Sequence, residues 1–557
     1  MPATLRAKRT VRAGTPTTCP APQLDNNGKK ITLDPVTAPW SFYGRREELG
    51  SLLEIMRRRR WFFGAIRGRR RIGKTALIQQ ALMIVSEDEP AGPRVLLVRI
   101  PDSGPADFAA VFRSALAETG LAANTETADR IRDLPAIAAA VGSLCSRGTI
   151  VVLDEFQIGH RGPLSGFPSL LQEQVDRLQD RDAVGGLIVL GSVQTEMEAL
   201  LHDRRAPLFG RTTFELTLGP WDLPTIFEVC RAHGANDPAR CLTLWTLFGG
   251  VPKYWRHFAE TDGLDAVPDW ESWAQQVCER LFLRSGSPLR EEGEGLLARE
   301  LRRNYLAILR TLAERPGCTH AELRDALPEL SLGPYLNAVT RDLRLVERKL
   351  PIFARERQRR ARYMISDQFL SAWLRVMQPA CQAARVLPAP AVARRALAAL
   401  RTLEGHAFER MVGEATEAAS RADASDFPIT DRVAGYWNRP RSQAGSVEID
   451  FIAWNEQERR VRFGSCKRNP ERHDGAALHG FRDHVDRFLA TGVGRRFTGW
   501  QHQFALFAPR FPKPLRDRLE VDGWICRDLA DYQRVLSDEL AGQPGALPAS
   551  PKLNGAE

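Results

Sequence analysis

The sequence predicts an α/β protein: a mostly parallel sheet covered by helices, then a helical stretch, then a second, mixed α/β region. Three observations carry this expectation. Short apolar runs alternate with amphipathic stretches over residues 39–220, the β signal gives way to helical periodicity until about residue 345, and strand-like runs return in the last 150 residues. At 557 residues the chain exceeds what one hydrophobic core usually serves, so several units are expected.

The first element is a tail, residues 1–38, rich in Pro, Thr, Ala and basic side chains and without periodicity. Its first 24 residues lack any acid, a composition that transit peptides share with disordered basic tails, and a disordered basic tail is expected. Five strand candidates follow: WFFGAI (61–66), RVLLVRI (94–100), TIVVLD (149–154), GLIVLG (186–191) and TFELTL (213–218). Together they define a core over residues 39–220, followed by a helical lid over 221–300. Residues 379–398, with Pro379, Pro388 and Pro390 among Ala and Arg, mark a linker or a helix boundary. Residues 541–557 form a second loose tail.

Composition narrows the partners and the compartment. Lys and Arg exceed Asp and Glu by ten, which favours an anionic partner such as nucleic acid but equally describes an Arg-rich surface. Nine cysteines show no CxxC pair, so neither a zinc ribbon nor a disulfide framework is indicated, and reduced thiols fit a cytoplasmic protein. No run of about 18 apolar residues is present, so no membrane partner is expected.

The segment GRRRIGKT, Gly68 to Thr75, follows the first strand candidate and opens a helix, which is the setting of a P-loop. Gly68 and Gly73 let backbone N–H groups close around phosphate oxygens, with Arg69, Arg70, Arg71, Ile72 and Ala76 lending their amides to the same cradle. Lys74 is expected to reach the β and γ phosphates of ATP, and the Thr75 hydroxyl to ligate Mg. The run TIVVLDEFQ ends a buried strand in two acids: Asp154 to hold the metal ion through water, Glu155 to orient or deprotonate the attacking water. Ser192, at the end of GLIVLGS, stands where a γ-phosphate sensor would, and is also an ordinary turn serine. Arg211, in PLFGRTTFEL, is an isolated cation able to neutralise transition-state charge in cis or across a subunit boundary, or else a surface arginine.

With FYGRREELGSLLEI (42–55), VVLDEFQ, PLFGR and FGGVPKYW (248–255) in order around GRRRIGKT, residues 42 to about 300 resemble the archaeal-type P-loop ATPases, near the AAA+ and STAND groups. The resemblance implies an ASCE-type parallel sheet with an added strand between the Walker A and Walker B strands, a catalytic glutamate matching Glu155, and a lid carrying the FGGVP segment. It also implies that Phe42, Gly44, Arg45 and Glu47 lie near the adenine.

From Asn304 the pattern reads as three short helices, NYLAILRTLAE, THAELRDALPE and GPYLNAVTRDLRLVE, with a Thr319/Glu322 capping box on the second and a wing hairpin over 348–365. This winged-helix unit (301–378) holds nine basic and three acidic residues between Arg341 and Arg362. Arg341, Arg355, Arg357, Arg359, Arg360 and Arg362 are candidates for phosphate contacts on double-stranded DNA, and a rigid interdomain spacer is the competing reading. With YMISDQFLSAWLRVMQP (363–379) the unit resembles the DUF234-like extension that follows archaeal-type ATPase domains.

Residues 399–540 suggest a restriction-endonuclease-like domain of PD-(D/E)XK type, from GHAFERMV, VEIDFIAW and RVRFGSCKRN. Glu409, Asp450 and Lys467 would be its helix carboxylate, strand acid and lysine. Ser465 stands where the middle acid is expected, and Glu448, on the same strand face as Asp450, is the one nearby substitute. A degenerate nucleic-acid or partner-binding domain is therefore the reading taken over an active nuclease. Function is expected to be that of a Mg-dependent ATPase acting on DNA. The alternative is a STAND-type nucleotide switch that signals through homo-oligomer formation or a protein partner.

Overall fold

The computed structural model describes residues 40–540 except 89–91, 122–128, 181–182, 193, 262, 265–266, 301–302, 356–359 and 439–444. Arg357 and Arg359 lie outside the described residues. The described residues belong to one compact unit.

Five parallel strands build the first sheet: β1 (Phe62–Gly68), β2 (Val95–Arg99), β3 (Ile150–Asp154), β4 (Gly186–Gly191) and β5 (Phe214–Leu218), ordered β2-β3-β4-β1-β5. Each lies where an apolar run predicts it. Parallel strands covered on both faces are apolar at successive positions, and alternate residues then serve opposite layers. Phe62, Ile66, Val152, Ile188 and Leu190 enter one apolar cluster, while Phe63, Ala65, Val151, Leu153, Leu187 and Val189 enter the other. β4 separates β1 from β3, the inserted strand that the resemblance implies.

Residues after β5 are helical, as the periodicity predicts: Leu223–Ala232, Pro238–Phe248, Pro252–Ala259, Trp270–Cys278 and Pro288–Glu300. Helices Arg303–Glu314, His320–Ala326 and Leu332–Asn337 follow, and Thr319 and Glu322 close a reciprocal capping box. The third helix stops sooner than its pattern suggests. Its last turn runs to Asp342, Arg344 takes a left-handed φ of 51°, and β7 (Val346–Lys349) begins where helix was expected. With β6 (Cys318–Thr319) and β8 (Arg362–Ile365), β7 makes a three-stranded sheet in the order β6-β8-β7, so β7 and β8 are the expected hairpin.

Of the two readings of residues 379–398, a linker or a helix boundary, the described structure has helix boundaries. Helix Gln378–Ala383 covers the start of this stretch, and a 33-residue helix, Ala389–Arg421, begins inside it. Pro379 and Pro390 sit in the first turns of these helices, where a missing N–H costs nothing, and Pro388 occupies the N-cap. The prolines mark helix starts, and the alanines read as linker are helix formers.

The long helix leads into a second sheet: β9 (Ala434–Trp437), β10 (Glu448–Asn455), β11 (Arg460–Cys466), β12 (Gln501–Ala508) and β13 (Ile525–Asp528), ordered β13-β12-β11-β10-β9. β9, β10 and β11 are antiparallel; helix Gly475–Leu489 then carries the chain over so that β12 runs parallel to β11. One apolar cluster extends from Tyr43 through the helices that follow β5 to Leu536, so the residue boundaries near 220, 300 and 378 are not gaps in packing.

Candidate functional site

The loop between β1 and helix Lys74–Asp88 has a backbone that its sequence explains. At Gly68, with φ 158°, a Cβ would lie 2.7 Å from the Leu218 carbonyl oxygen, and Gly73 has φ 95°. Only glycine meets both conditions without strain. Arg71 adopts φ 68° as a non-glycine residue, which stores strain in the middle of the loop.

Lys74 opens the helix with its side chain folded back under the loop. Its Nζ donates to the Gly68 carbonyl at 2.8 Å, the Arg69 carbonyl at 3.1 Å and Ser192 Oγ at 3.3 Å. Burial lowers the pKa of this ammonium, while Glu155 and Asp154 oppose that shift. Thr75 Oγ1 donates to Asp154 Oδ2 at 3.1 Å. Glu155 follows at the strand end in a left-handed conformation, φ 57°. Its carboxylate accepts from Ser192 Oγ at 3.1 and 3.2 Å and from Gln157 Nε2 at 2.5 Å, and the Ser192 N–H donates to Gln157 Oε1 at 3.2 Å. The structure thus brings Lys74, Thr75, Asp154, Glu155 and Ser192 together from β1, β3 and β4.

These groups fit a magnesium-bound phosphate chain. A hydroxyl beside a carboxylate is a hard-oxygen donor pair suited to Mg, and an ammonium with helix-start amides suits phosphate oxygens. Gln157 holds both Glu155 and Ser192 in place; it lies within the DEFQ motif, but its pattern alone assigns it no role.

The remaining sequence candidates divide. Arg45, left-handed at φ 59°, pairs with Glu48 at 3.0 Å and donates to the Ile72 carbonyl at 3.4 Å and to the Gly219 carbonyl. Gly44 has φ 63°, and a Cβ there would lie 2.6 Å from Thr225 Oγ1. Arg45 thus ties the loop at Ile72 to Gly219, and Gly44 lies against Thr225. Arg70 and Ala76 are exposed and Ile72 is buried. Arg69 and Arg71 send their guanidiniums to Asp367 and Glu292, contacts that neither acid's sequence setting announces. Arg211 grips Asp176 through two bonds of 2.5 and 3.0 Å, and the structure does not bring it to Lys74 or Glu155.

Among the hairpin arginines, Arg341, Arg355 and Arg360 are exposed. Arg362 is committed elsewhere: it bonds Glu448 at 2.6 Å and lies 4.7 Å from the Trp437 ring centre. The Ile352 N–H donates to the Gly435 carbonyl at 2.9 Å, Ile352 joins the C-terminal core, and Phe353 packs on Trp454 and Phe497. The hairpin is docked on the second sheet. Arg362 therefore already has an acid partner at the surface, unlike a bare phosphate contact.

In the C-terminal region Lys467 Nζ lies 3.5 Å from Asp450 Oδ2, which also accepts from the Cys466 N–H at 3.1 Å. Glu409 opens on solvent on one side and is crowded by protein on the others; burial and the neighbouring Asp450 push its carboxyl up to about 8. Ser465 is buried, and Glu448 is held by Arg362. Among the described residues, no three His, Cys, Asp or Glu side chains are grouped to hold a metal ion.

A parallel sheet in the order β2-β3-β4-β1-β5, a glycine-flanked loop entering a helix at Lys74, and an acid pair ending β3 define the P-loop NTPase fold. No family model matches the chain. An uncharacterized protein of Methanocaldococcus jannaschii is 24% identical over 431 residues, 76% of this chain and 87% of that protein. Among solved structures, the Walker-type ATPase of Pyrococcus abyssi is similar at TM-score 0.45 and 18% identity, covering 62% of this chain and 99% of that one. The ORC2 protein of Aeropyrum pernix, in its ADPNP–ADP complexes, is similar at TM-score 0.43 and 18% identity, covering 66% and 98%. No described helix is long and apolar enough to cross a membrane.

Proposed function

We propose that this chain is a Mg-dependent ATPase whose nucleotide state is transmitted through the helical lid to a winged-helix unit (301–378) and a nuclease-like domain (399–540) that does not cut. The observation that carries the reading is the cluster in which Ser192 bridges Lys74 and Glu155 while Thr75 bonds Asp154. Lys74 would neutralise phosphate charge, Thr75 and Asp154 would hold the metal ion, and Glu155, oriented by Ser192 and Gln157, would take the proton of the attacking water. The bound ion would supply charge stabilisation on the phosphate oxygens.

Loss of cleavage follows from Ser465, which offers no carboxylate charge, and from Glu448, which is spent on Arg362. DNA is the anionic partner that the exposed Arg341, Arg355 and Arg360 fit. A nucleotide switch that signals to a protein partner is the second reading, favoured by the docking of the hairpin on the second sheet. ATP turnover measured at low salt with and without duplex DNA separates the two. Glu155→Gln is expected to lower turnover by about a hundredfold or more while keeping ATP binding, and Lys74→Ala to lose binding. Stimulation by DNA that disappears with added salt supports the DNA output; turnover indifferent to DNA leaves the switch. Unchanged turnover in Glu155→Gln would remove the catalytic assignment.

A further inference from the structure

We propose that Asp367 and Glu292 form a latch that competes with a bound phosphate chain for Arg69 and Arg71, so that nucleotide binding loosens the segment following the hairpin. This inference rests on the nucleotide-binding reading above.

The two arginines lie inside the phosphate cradle's own loop, yet their side chains are paired with acids from two downstream segments. Asp367, separated from β8 by Ser366, caps helix Gln368–Ala372, its Oδ1 accepting from the Leu370 N–H at 3.2 Å. Glu292 belongs to helix Pro288–Glu300. The acids are the sealed partners: Asp367 is 7% and Glu292 10% exposed, against 34% for Arg69 and 22% for Arg71. Tyr254, from lid helix Pro252–Ala259, ties the two pairs together. Its hydroxyl donates to Glu292 at 3.3 Å and its ring stacks on Phe369 at 4.3 Å, in the first turn of the helix that Asp367 caps. The same helix approaches the loop directly: a Cβ at Gly73 would lie 3.8 Å from Pro252.

Two carboxylates held against a loop built to bind anions work against that loop's ligand. Their charges repel a phosphate chain, and they occupy guanidiniums that would otherwise turn to it. When phosphates draw Arg69 and Arg71 away, both acids keep their hydrogen bonds from Leu370 and Tyr254 but lose their ion-pair partners while nearly buried, a state disfavoured unless they move to water. The segments that carry them must then shift. By linkage the effect is reciprocal: whatever weakens the latch strengthens nucleotide binding. A merely structural role for these pairs has the opposite sign, because loosening the loop would weaken binding.

The test uses Glu292→Gln and Asp367→Asn in the full chain. Both changes remove charge and keep shape: Gln still accepts from Tyr254, and Asn is as good an N-cap as Asp. A fluorescent ADP analogue with Mg is titrated against the parent and the variants. The double variant is expected to bind about tenfold more tightly, within the usual size of coupling between two sites. Hydrogen exchange gives the reciprocal readout. Amides of Gln368–Ala372 should exchange faster in the parent when nucleotide is added, and should already be fast and nucleotide-insensitive in Asp367→Asn. If the double variant fails to fold, Asp367→Asn alone decides by the same two measurements. Equal or weaker binding in the variants overturns the latch while leaving the nucleotide site standing; a parent that binds no nucleotide removes the site and the latch together.

Discussion

Glu409 shows how one residue's surroundings set a pH dependence. Burial first, then the facing Asp450 and Glu448, oppose its ionisation, while Lys467 and Lys349 favour it, and the balance pushes the carboxyl from 4.5 up to about 8. A raised carboxyl binds its proton more tightly in the folded state than in the unfolded chain, an effect that the exposed side of Glu409 reduces. The associated stability is fully present below pH 4.5 and is lost as the pH rises through about 8. Glu409→Gln cannot ionise, so its urea midpoint should fall less than the parent's between pH 5 and about 8.5; parallel curves for the two proteins would show that Glu409 does not resist ionisation. Single residues were legible in the sequence where their chemistry is local. The spacing of Gly68, Gly73, Lys74 and Thr75 lies within one turn of chain, and the acids at 154 and 155 end a recognisable apolar run. Asp367 and Glu292 were not legible, since an acid near a helix start reads as a cap or as surface until the fold sets it against an arginine.

Among the elements, helix Ala389–Arg421 is the least legible in the sequence, because prolines that start a helix also fit a linker. It links two regions through a single buried acid. Glu404, fully buried, accepts from Thr243 Oγ1 at 2.6 Å on lid helix Pro238–Phe248 and pairs with Arg468, the neighbour of Lys467. Trp270 completes the joint, donating to Thr243 at 2.9 Å beneath the guanidiniums of Arg401 and Arg468. Glu404→Ala should destabilise the protein by about 2 kcal/mol. That is less than the ~3–5 kcal/mol of a sealed pair, because Arg468 can still reach water. Chemical denaturation tests it, and a loss under about 0.5 kcal/mol would show that the joint does not bear on stability. The β7–β8 hairpin gives a second contrast. Arg360 is exposed and Arg362 is docked, so Arg360→Ala should lower duplex DNA affinity and reduce the salt slope by about one, whereas Arg362→Ala should first lower thermal stability. Equal effects of the two changes on the salt slope would contradict the docked assignment.

At the scale of the whole molecule, the sequence suggested a string of modules, and the packing shows that some of them complete one another's cores. Boundaries were read from shifts in composition, which report where the element type changes and not where burial stops. The helical lid illustrates the difference. Its helices Pro238–Phe248 and Trp270–Cys278 bury nearly all their apolar side chains, Leu242, Trp245, Leu247, Trp273 and Val277 among them. Val392, Ala393, Ala396, Leu397, Leu400 and Leu403 of the long helix belong to the same buried cluster. A chain ended at residue 378 would lose that helix and uncover the lid face it packs on. At roughly 25 cal/mol per Å² of apolar area, six such side chains are worth about 8 kcal/mol, comparable to the whole stability of a domain. Such a truncated chain is expected to aggregate or to bind nucleotide only weakly. The full chain should unfold through the lid and the C-terminal domain in one step: hydrogen exchange in urea should give the same midpoint for amides of Pro238–Phe248 and of β11. Cooperative units coincide with contiguous burial, and here the burial crosses the boundary. Two well-separated midpoints, or a soluble residue 1–378 fragment with the parent's nucleotide affinity, would show that the lid is complete without the helix, and nucleotide state could then reach the second sheet only through the hairpin.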